Sequence, residues 1–418
     1  MGDPVYAELA LKALEQAFNP LWLGVEGKHP LKKLWARPDR LATSELFIFG
    51  SAIKKVQKLH PEWLKKTIKK VRGSEVSSGF ITEIITCAQL VPHRGTLHPA
   101  MNRDQPGYDL EATYDHGIKH FISVKNQDVS DSQKKFTRNS KLIRNQWKLR
   151  LKLEKANLSL RVIEYQELSD ADFEDVIQFI QKGLNIWGRQ SVQLKPYLNL
   201  VVAPLHYDDK NLSKEHVSET VMVVSPGPQS EQLRFRRSIR AAADNMKAHI
   251  AQDEKSFNVV FMRVHVNADI DYLRQVAQDM INEGDSGIDG ILFYQPSFGR
   301  DPEEKSLITN TFQMALNMRF IEALERRPAY ELHAALGTGS IESSKLIVQI
   351  DGVRGESFPP NTYVFQEGDL YVVSDDPTEG NMKAPAMGIR EHAVMYVQGS
   401  RLDCFGKIFP MNDDLLII

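Results

Sequence analysis

GSEVSSGFITEIITCAQL (residues 73–90), PGYDLEAT (106–113) and HFISVKNQD (120–128) decide how this chain folds. In the first, Phe80, Ile81, Ile84, Ile85, Ala88 and Leu90 recur at mixed three- and four-residue steps. That spacing predicts a helix buried on much of its surface, capped by Ser77 or Ser78. The other two segments read as strands. Tyr114-Asp115-His116-Gly117 joins them as a turn in which glycine tolerates positive φ. Side chains two apart share one face of a strand. Asp109 and Glu111 therefore face one way on the first strand, as do Ser123, Lys125 and Gln127 on the second. Once paired, the strands gather two carboxylates, a lysine and an amide in one patch, and Glu83 on the preceding helix could reach the same patch.

This is the chemistry of phosphodiester hydrolysis. Hard oxygen ligands hold Mg²⁺ while leaving waters on it. The metal activates a bound water, and a nearby ammonium stabilises developing negative charge. In order and spacing the segment resembles the PD-(D/E)XK restriction-endonuclease-like superfamily. The resemblance implies Glu83 as the helix acid, Asp109 as the principal ligand of Mg²⁺ (or Mn²⁺), Lys125 as the catalytic lysine, and Gln127 as a polar position after it. The second acid of that motif would stand at position 123, where this chain has Ser123. Glu111 or Glu83 then supplies the missing carboxylate, or the site has lost catalysis and the domain binds without cutting. Asp109 and Glu111 can also be read as an ordinary solvated strand face paired with Lys125.

The 418 residues carry a net charge of −2, with 42% hydrophobic and 25% charged residues, an ordinary soluble composition. Cys87 and Cys404 are the only cysteines, too far apart in sequence for a zinc motif, which predicts a reducing cytoplasm. Cys87 reads as a small core residue. The first residues hold acids and no long apolar run, so no secretory leader is expected. No run is long enough to span a membrane. The charge is unevenly spread. Residues 1–160 hold 27 Lys/Arg and 16 Asp/Glu, whereas the remainder holds 25 and 38. A basic half around the candidate site suits a polyanion, DNA more readily than RNA.

Residues 3–18 read as a helix begun by Asp3 and Pro4. Residues 53–73 carry eight basic residues and one acid, with Pro61 dividing two helices. Lys65 and Lys69 there are candidate phosphate contacts, though a solvated face explains them equally well. His93, Arg94, His98 and Arg103 lie in a polar stretch expected to hold one short strand. A long helix over 131–156 carries nine Lys/Arg and two acids. Phe136, Leu142 or Ile143, Trp147, Leu149 and Leu153 form its expected buried stripe, and Lys134, Lys135, Arg138, Lys141 and Arg144 its candidate nucleic-acid contacts. In the resemblance this helix crosses from the hairpin to the next strand of the sheet.

Strands are expected at 158–165, 197–204, 218–226, 257–266 and 287–296, and helices at 171–183, 229–252 and 270–283. The helix at 171–183 is acidic and is expected to face solvent. Arg234, Arg236, Arg237 and Arg240 form a second basic cluster. Residues 297–307 read as a loop, 308–336 as a helical connection, and 337–418 as a small β-rich module for a protein partner or dimer contact. The expected whole is an α/β chain: a helical region at 1–72, a restriction-endonuclease-like mixed sheet flanked by helices at 73–300, a connection at 301–336, and the C-terminal module. The expected function is a metal-dependent nuclease of DNA in prokaryotic restriction or anti-phage defence. The alternative is a catalytically degenerate nuclease-fold protein that binds nucleic acid within a larger complex.

Overall fold

The structure, a computed structural model, describes residues 4–74, 77–90, 95–100, 107–114, 117–156, 158–164, 166–182, 190–204, 219–249, 254–266, 268–284, 287–300, 306–325, 338–340, 361–374, 394–398, 401–408 and 415–417. The chain opens with helices α1 (Pro4–Phe18), α2 (Pro20–Gly24), α3 (Pro30–Trp35), α4 (Arg40–Leu59), α5 (Pro61–Gly73) and α6 (Ser78–Gln89). Strands β1 (Gly95–Pro99), β2 (Leu110–Tyr114) and β3 (Lys119–Gln127) follow, then α7 (Asp131–Glu154), β4 (Leu158–Glu164), α8 (Asp170–Lys182), β5 (Gln190–Lys195), β6 (Leu198–Pro204) and β7 (Glu219–Pro226). Next come α9 (Gln229–His249), β8 (Ser256–Val264), α10 (Ile270–Asn282), β9 (Gly290–Arg300), β10 (Ser306–Leu316) and α11 (Met318–Glu325). The last strands are β11 (Thr338–Ser340), β12 (Thr362–Ser374), β13 (Val394–Gln398) and β14 (Arg401–Ile408). This is a mixed α/β chain with two mixed sheets.

The contacts divide the chain into two compact units, and not along the boundaries expected from the sequence. The first comprises residues 1–128, 232–344 and 412–418; the second comprises 129–231 and 345–411. The sheet of the first unit has the order β1-β2-β3-β8-β9-β10-β11. Its β1–β2–β3 part is an antiparallel meander, and β3 then pairs in parallel with β8. One sheet face is closed by α9 and α10, through Phe235, Ile239, Met246, Val276 and Met280 against Val260, Met262 and Phe293. The buried strand β8 has no exposed position, as expected of a central parallel strand covered on both faces.

Two expectations fail in this unit. Residues 306–316 form β10, a strand paired with β9 over eleven residues, where a loop and helical connection were expected. Among the described residues the helical part is α11, which Asn317 starts by accepting a bond from the Phe320 N–H (2.8 Å). Cys87 is fully buried, and burial pushes its thiol up to about 12, as suits a core residue.

The second unit has its own sheet, β13-β14-β12-β7-β4-β6-β5. Here the expected C-terminal module is not separate: β12 pairs antiparallel with β7, and β14 and β13 extend the same sheet. Helices α7 and α8 cover it. The buried stripe of α7 is Phe136, Ile143, Trp147 and Leu151, whose spacing of seven, four and four follows the helical period. Of the expected alternatives Leu142 or Ile143 it is Ile143 that is buried, whereas Leu149 and Leu153, also expected in that stripe, are 54% and 81% exposed. The Ser130 hydroxyl caps α7 by accepting from the Gln133 N–H (3.0 Å). The acidic α8 does not simply face solvent. Phe173, Val176 and Ile180 are buried, and so is Asp172, which accepts from Ser169 and Tyr197 and pairs with Lys195.

Two buried acids give testable consequences. In the first unit Glu45 is fully buried on α4, and its carboxylate accepts the N–H groups of Leu416 (3.0 Å) and Ile417 (2.8 Å). Glu45→Ala leaves these donors unsatisfied and should lower the unfolding free energy by about 3 kcal/mol, read from the urea midpoint. An unchanged midpoint would refute that anchoring role. In the second unit Glu164 is 3% exposed, and neither carboxylate oxygen has a hydrogen-bond partner among the described residues. Burial, then the nearby Asp172 charge, pushes it from 4.5 up to about 8. A raised folded value means that stability is complete below the unfolded value and is lost as pH climbs toward the folded one. Melting temperatures from about pH 5 to 9 should therefore fall less steeply in Glu164→Gln than in the parent.

Candidate functional site

The candidate site is built where β2 leaves its ladder with β3. Leu110 pairs with Ile122, and the Asp109 N–H still donates to the Ile122 carbonyl at 2.9 Å. Asp109 thus stands opposite Ser123. The next N–H on β3, that of Val124, goes to the Asp109 side chain instead, at 2.7 Å from Oδ2. The Ser123 hydroxyl, 2% exposed, lies 3.4 Å from the same oxygen. One carboxylate oxygen therefore closes the end of the strand pair. The other, Oδ1, receives no hydrogen bond among the described residues.

Alternation along β3 puts Lys125 on the same face as Ser123 and Asp109. It is half-buried and makes no ion pair among the described residues. An ammonium and a carboxylate oxygen thus share one face at the open end of a strand pair. Gln127, two residues further, is buried.

The remaining expected acids are not gathered there. Glu111 lies on the Asp109 face but on its far side from Lys125, opposite Phe121. Its oxygens are engaged by the Tyr108 hydroxyl (3.0 Å) and the Lys119 ammonium (3.4 Å). Burial, and then the bond to Glu111, raises the Tyr108 phenol above its usual range. Glu83 is half-buried on α6. That helix packs against β3 from the other sheet face, where the Ser78 hydroxyl meets Asp128 at 3.2 Å. On that face Arg263 binds Asn126 (2.9 Å) and Asp128 (3.1 Å), a knot tying β8 to the end of β3 and the start of α6. Sequence reasoning missed it, because Arg263 is far along the chain and nothing local marks its partners.

The resemblance implies Mg²⁺ between two carboxylates; Asp109 offers one, and the Glu111 oxygens are engaged by Tyr108 and Lys119. Asp109 shares a face with Lys125, and no group of three His, Cys, Asp or Glu suited to a metal occurs among the described residues. His93, Arg94 and Arg103 lie outside the described residues. His98 on β1 is exposed and meets the His60 ring edge-on at 5.9 Å.

The expected nucleic-acid contacts separate into two groups. Lys135 pairs with Asp170 at 2.7 Å, and Arg144 pairs with Glu367, a buried acid on β12. Lys134, Arg138 and Lys141 are exposed, and sequence reasoning missed Lys148 and Lys152, which continue their line. Positions 134, 138, 141, 145, 148 and 152 step by four and three, and only Asn145 is uncharged. The line runs about 27 Å along one side of α7. Lys65 and Lys69 are exposed on α5.

Comparison with protein-family models, curated proteins and solved structures finds no match for this chain. Among the described residues no helix is long and apolar enough to cross a membrane.

The bond from Val124 separates two roles for Asp109. Asp109→Asn keeps an acceptor and should melt within about 1 kcal/mol of the parent. Asp109→Ala strands the Val124 N–H and should cost about 1–3 kcal/mol in chemical denaturation. Equal stabilities for the two variants would remove the ladder-closing role.

Proposed function

We propose that this protein binds nucleic acid along α7, as a nuclease-fold relative in which the hydrolytic site is incomplete. The exposed line Lys134, Arg138, Lys141, Lys148 and Lys152 carries this reading. A polyanion with regularly spaced phosphates is the natural counter-ion for such a line, and neutralising it releases condensed cations from the strand. Leu142, Leu149 and Leu153 flank the line and offer apolar contact to sugars or bases. The restriction-endonuclease-like fold rests on the helix–meander–parallel-strand order of α6, β1–β3 and β8.

A second reading, metal-dependent cleavage of DNA in a defence role, is favoured by one observation. Asp109 Oδ1 and the Lys125 ammonium share a face and neither has a protein partner among the described residues.

One set of assays tests both readings. Anisotropy of labelled duplex and single-stranded DNA should fall off steeply between about 50 and 200 mM salt. Lys141→Glu combined with Lys148→Glu should lower the salt slope by about 2 and weaken binding to all sequences alike. An unchanged slope would sink the α7 reading. Cleavage with Mg²⁺ or Mn²⁺ that disappears in both Asp109→Asn and Lys125→Ala would establish the second reading over the first.

A further inference from the structure

The helices that open the first unit hold a cleft that neither reading above uses. Between α1, α4 and α5 lies a cavity of about 730 Å³. Its floor is apolar, with Ile53, Leu64 and Ile68 at most 8% exposed. One wall is a stripe of α5 carrying Lys65, Lys69 and Arg72, spaced four and three residues apart. All three are exposed, and none makes an ion pair among the described residues. Arg72 instead lies 5.7 Å from the centroid of the Trp22 ring. Glu62 is the one acid in the lining, so the cleft carries an excess of two positive charges. From α1 and α4, Gln16 and Gln57 add exposed amides, each with two donors and an acceptor.

These features select a ligand by chemistry. Three cations on adjacent turns repel one another and favour a group with more than one negative charge. A bare anion would leave the apolar floor wet. An acyl chain would cover the floor but make no use of the amides or of three clustered cations. A flat heteroaromatic ring joined to phosphates satisfies all three, and the cavity lies within the size range of small-ligand sites.

We propose that the α1–α4–α5 cleft binds a nucleotide. Its phosphates lie on Lys65, Lys69 and Arg72, its base lies over Ile53, Leu64 and Ile68, and Gln16 and Gln57 meet the polar edge of the base. The nucleotide is either free or the phosphorylated end of a nucleic-acid strand. The proposal does not depend on nucleic-acid binding by α7.

The test uses the full chain and a fluorescent ATP analogue. Saturable binding, displaced by ATP but not by adenosine, is expected for a free nucleotide. Displacement by a 5′-phosphorylated oligonucleotide and not by its unphosphorylated form would identify a strand end and equally uphold the site. Lys65→Glu and Lys69→Glu should each weaken binding by about tenfold. Lys65→Gln and Lys69→Gln repeat the test if a reversed charge disturbs folding. The α7 pair Lys141→Glu and Lys148→Glu should leave nucleotide binding unchanged, whatever it does to DNA. Three results would overturn the proposal: no saturable binding of either probe, binding indifferent to both α5 substitutions, or displacement by tripolyphosphate as effective as by ATP.

Discussion

Parallel pairing of β3 with β8 governs the layout of this chain. Lys119 aligns with Ser256 and Gln127 with Val264, so the chain leaves the sheet at one end and must return to the other. A crossover is obligatory, and here it contains most of a second unit before α9 leads into β8. The helix that covers the sheet at this crossover is α9, through Phe235, Ile239, Ala242 and Met246. The strongly basic α7, which follows the hairpin directly in sequence, buries its apolar stripe in the other core. Its exposed side, away from that core, carries the cations.

Local elements were legible because their periods are strong. The division of α4 from α5 at Pro61, the β2–β3 hairpin with Gly117 at φ 75°, and α7 all follow from spacing and turn chemistry. Sheet membership was not legible. The strand pattern of β12 says nothing of its partner, and only the unpaired edge of β7 makes it part of the second unit instead of a separate module. β10 was hidden for a related reason. Its residues mix apolar and polar positions without a clean alternation, and its eleven-residue pairing with β9 supplies what local propensity does not.

The candidate site divides in the same way. The shared face of Asp109, Ser123 and Lys125 follows from alternation alone. The capture of the Val124 N–H by Asp109 does not, since it arises only where β2 leaves the ladder. Nor do the counter-ions: Asp170 for Lys135 and Glu367 for Arg144 are distant in sequence, and each removes a cation that composition alone would assign to substrate. Glu111 illustrates the same limit. It has the right face but the wrong direction along it, and strand rise carries it away from Lys125.

Charge distribution decides what these surfaces are for. The chain holds 54 acids against 52 basic residues, so counter-ions are plentiful. In the second unit they are used where burial demands them: Lys195 is held by Asp172 and Asp175, and Arg144 by Glu367. The exposed line on α7 includes the end pair Lys134–Asp131, at 3.4 Å and exposed to solvent, which contributes little. Folding alone would favour interspersed acids along such a helix, because like charges three and four residues apart repel. With a net charge of only −2, long-range steering of an anion is weak. Recognition must then be short-range, within about one Debye length of the stripe that makes it. A line of exposed cations at helical spacing, in a chain rich in acids, is the feature from which the proposed polyanion binding is argued.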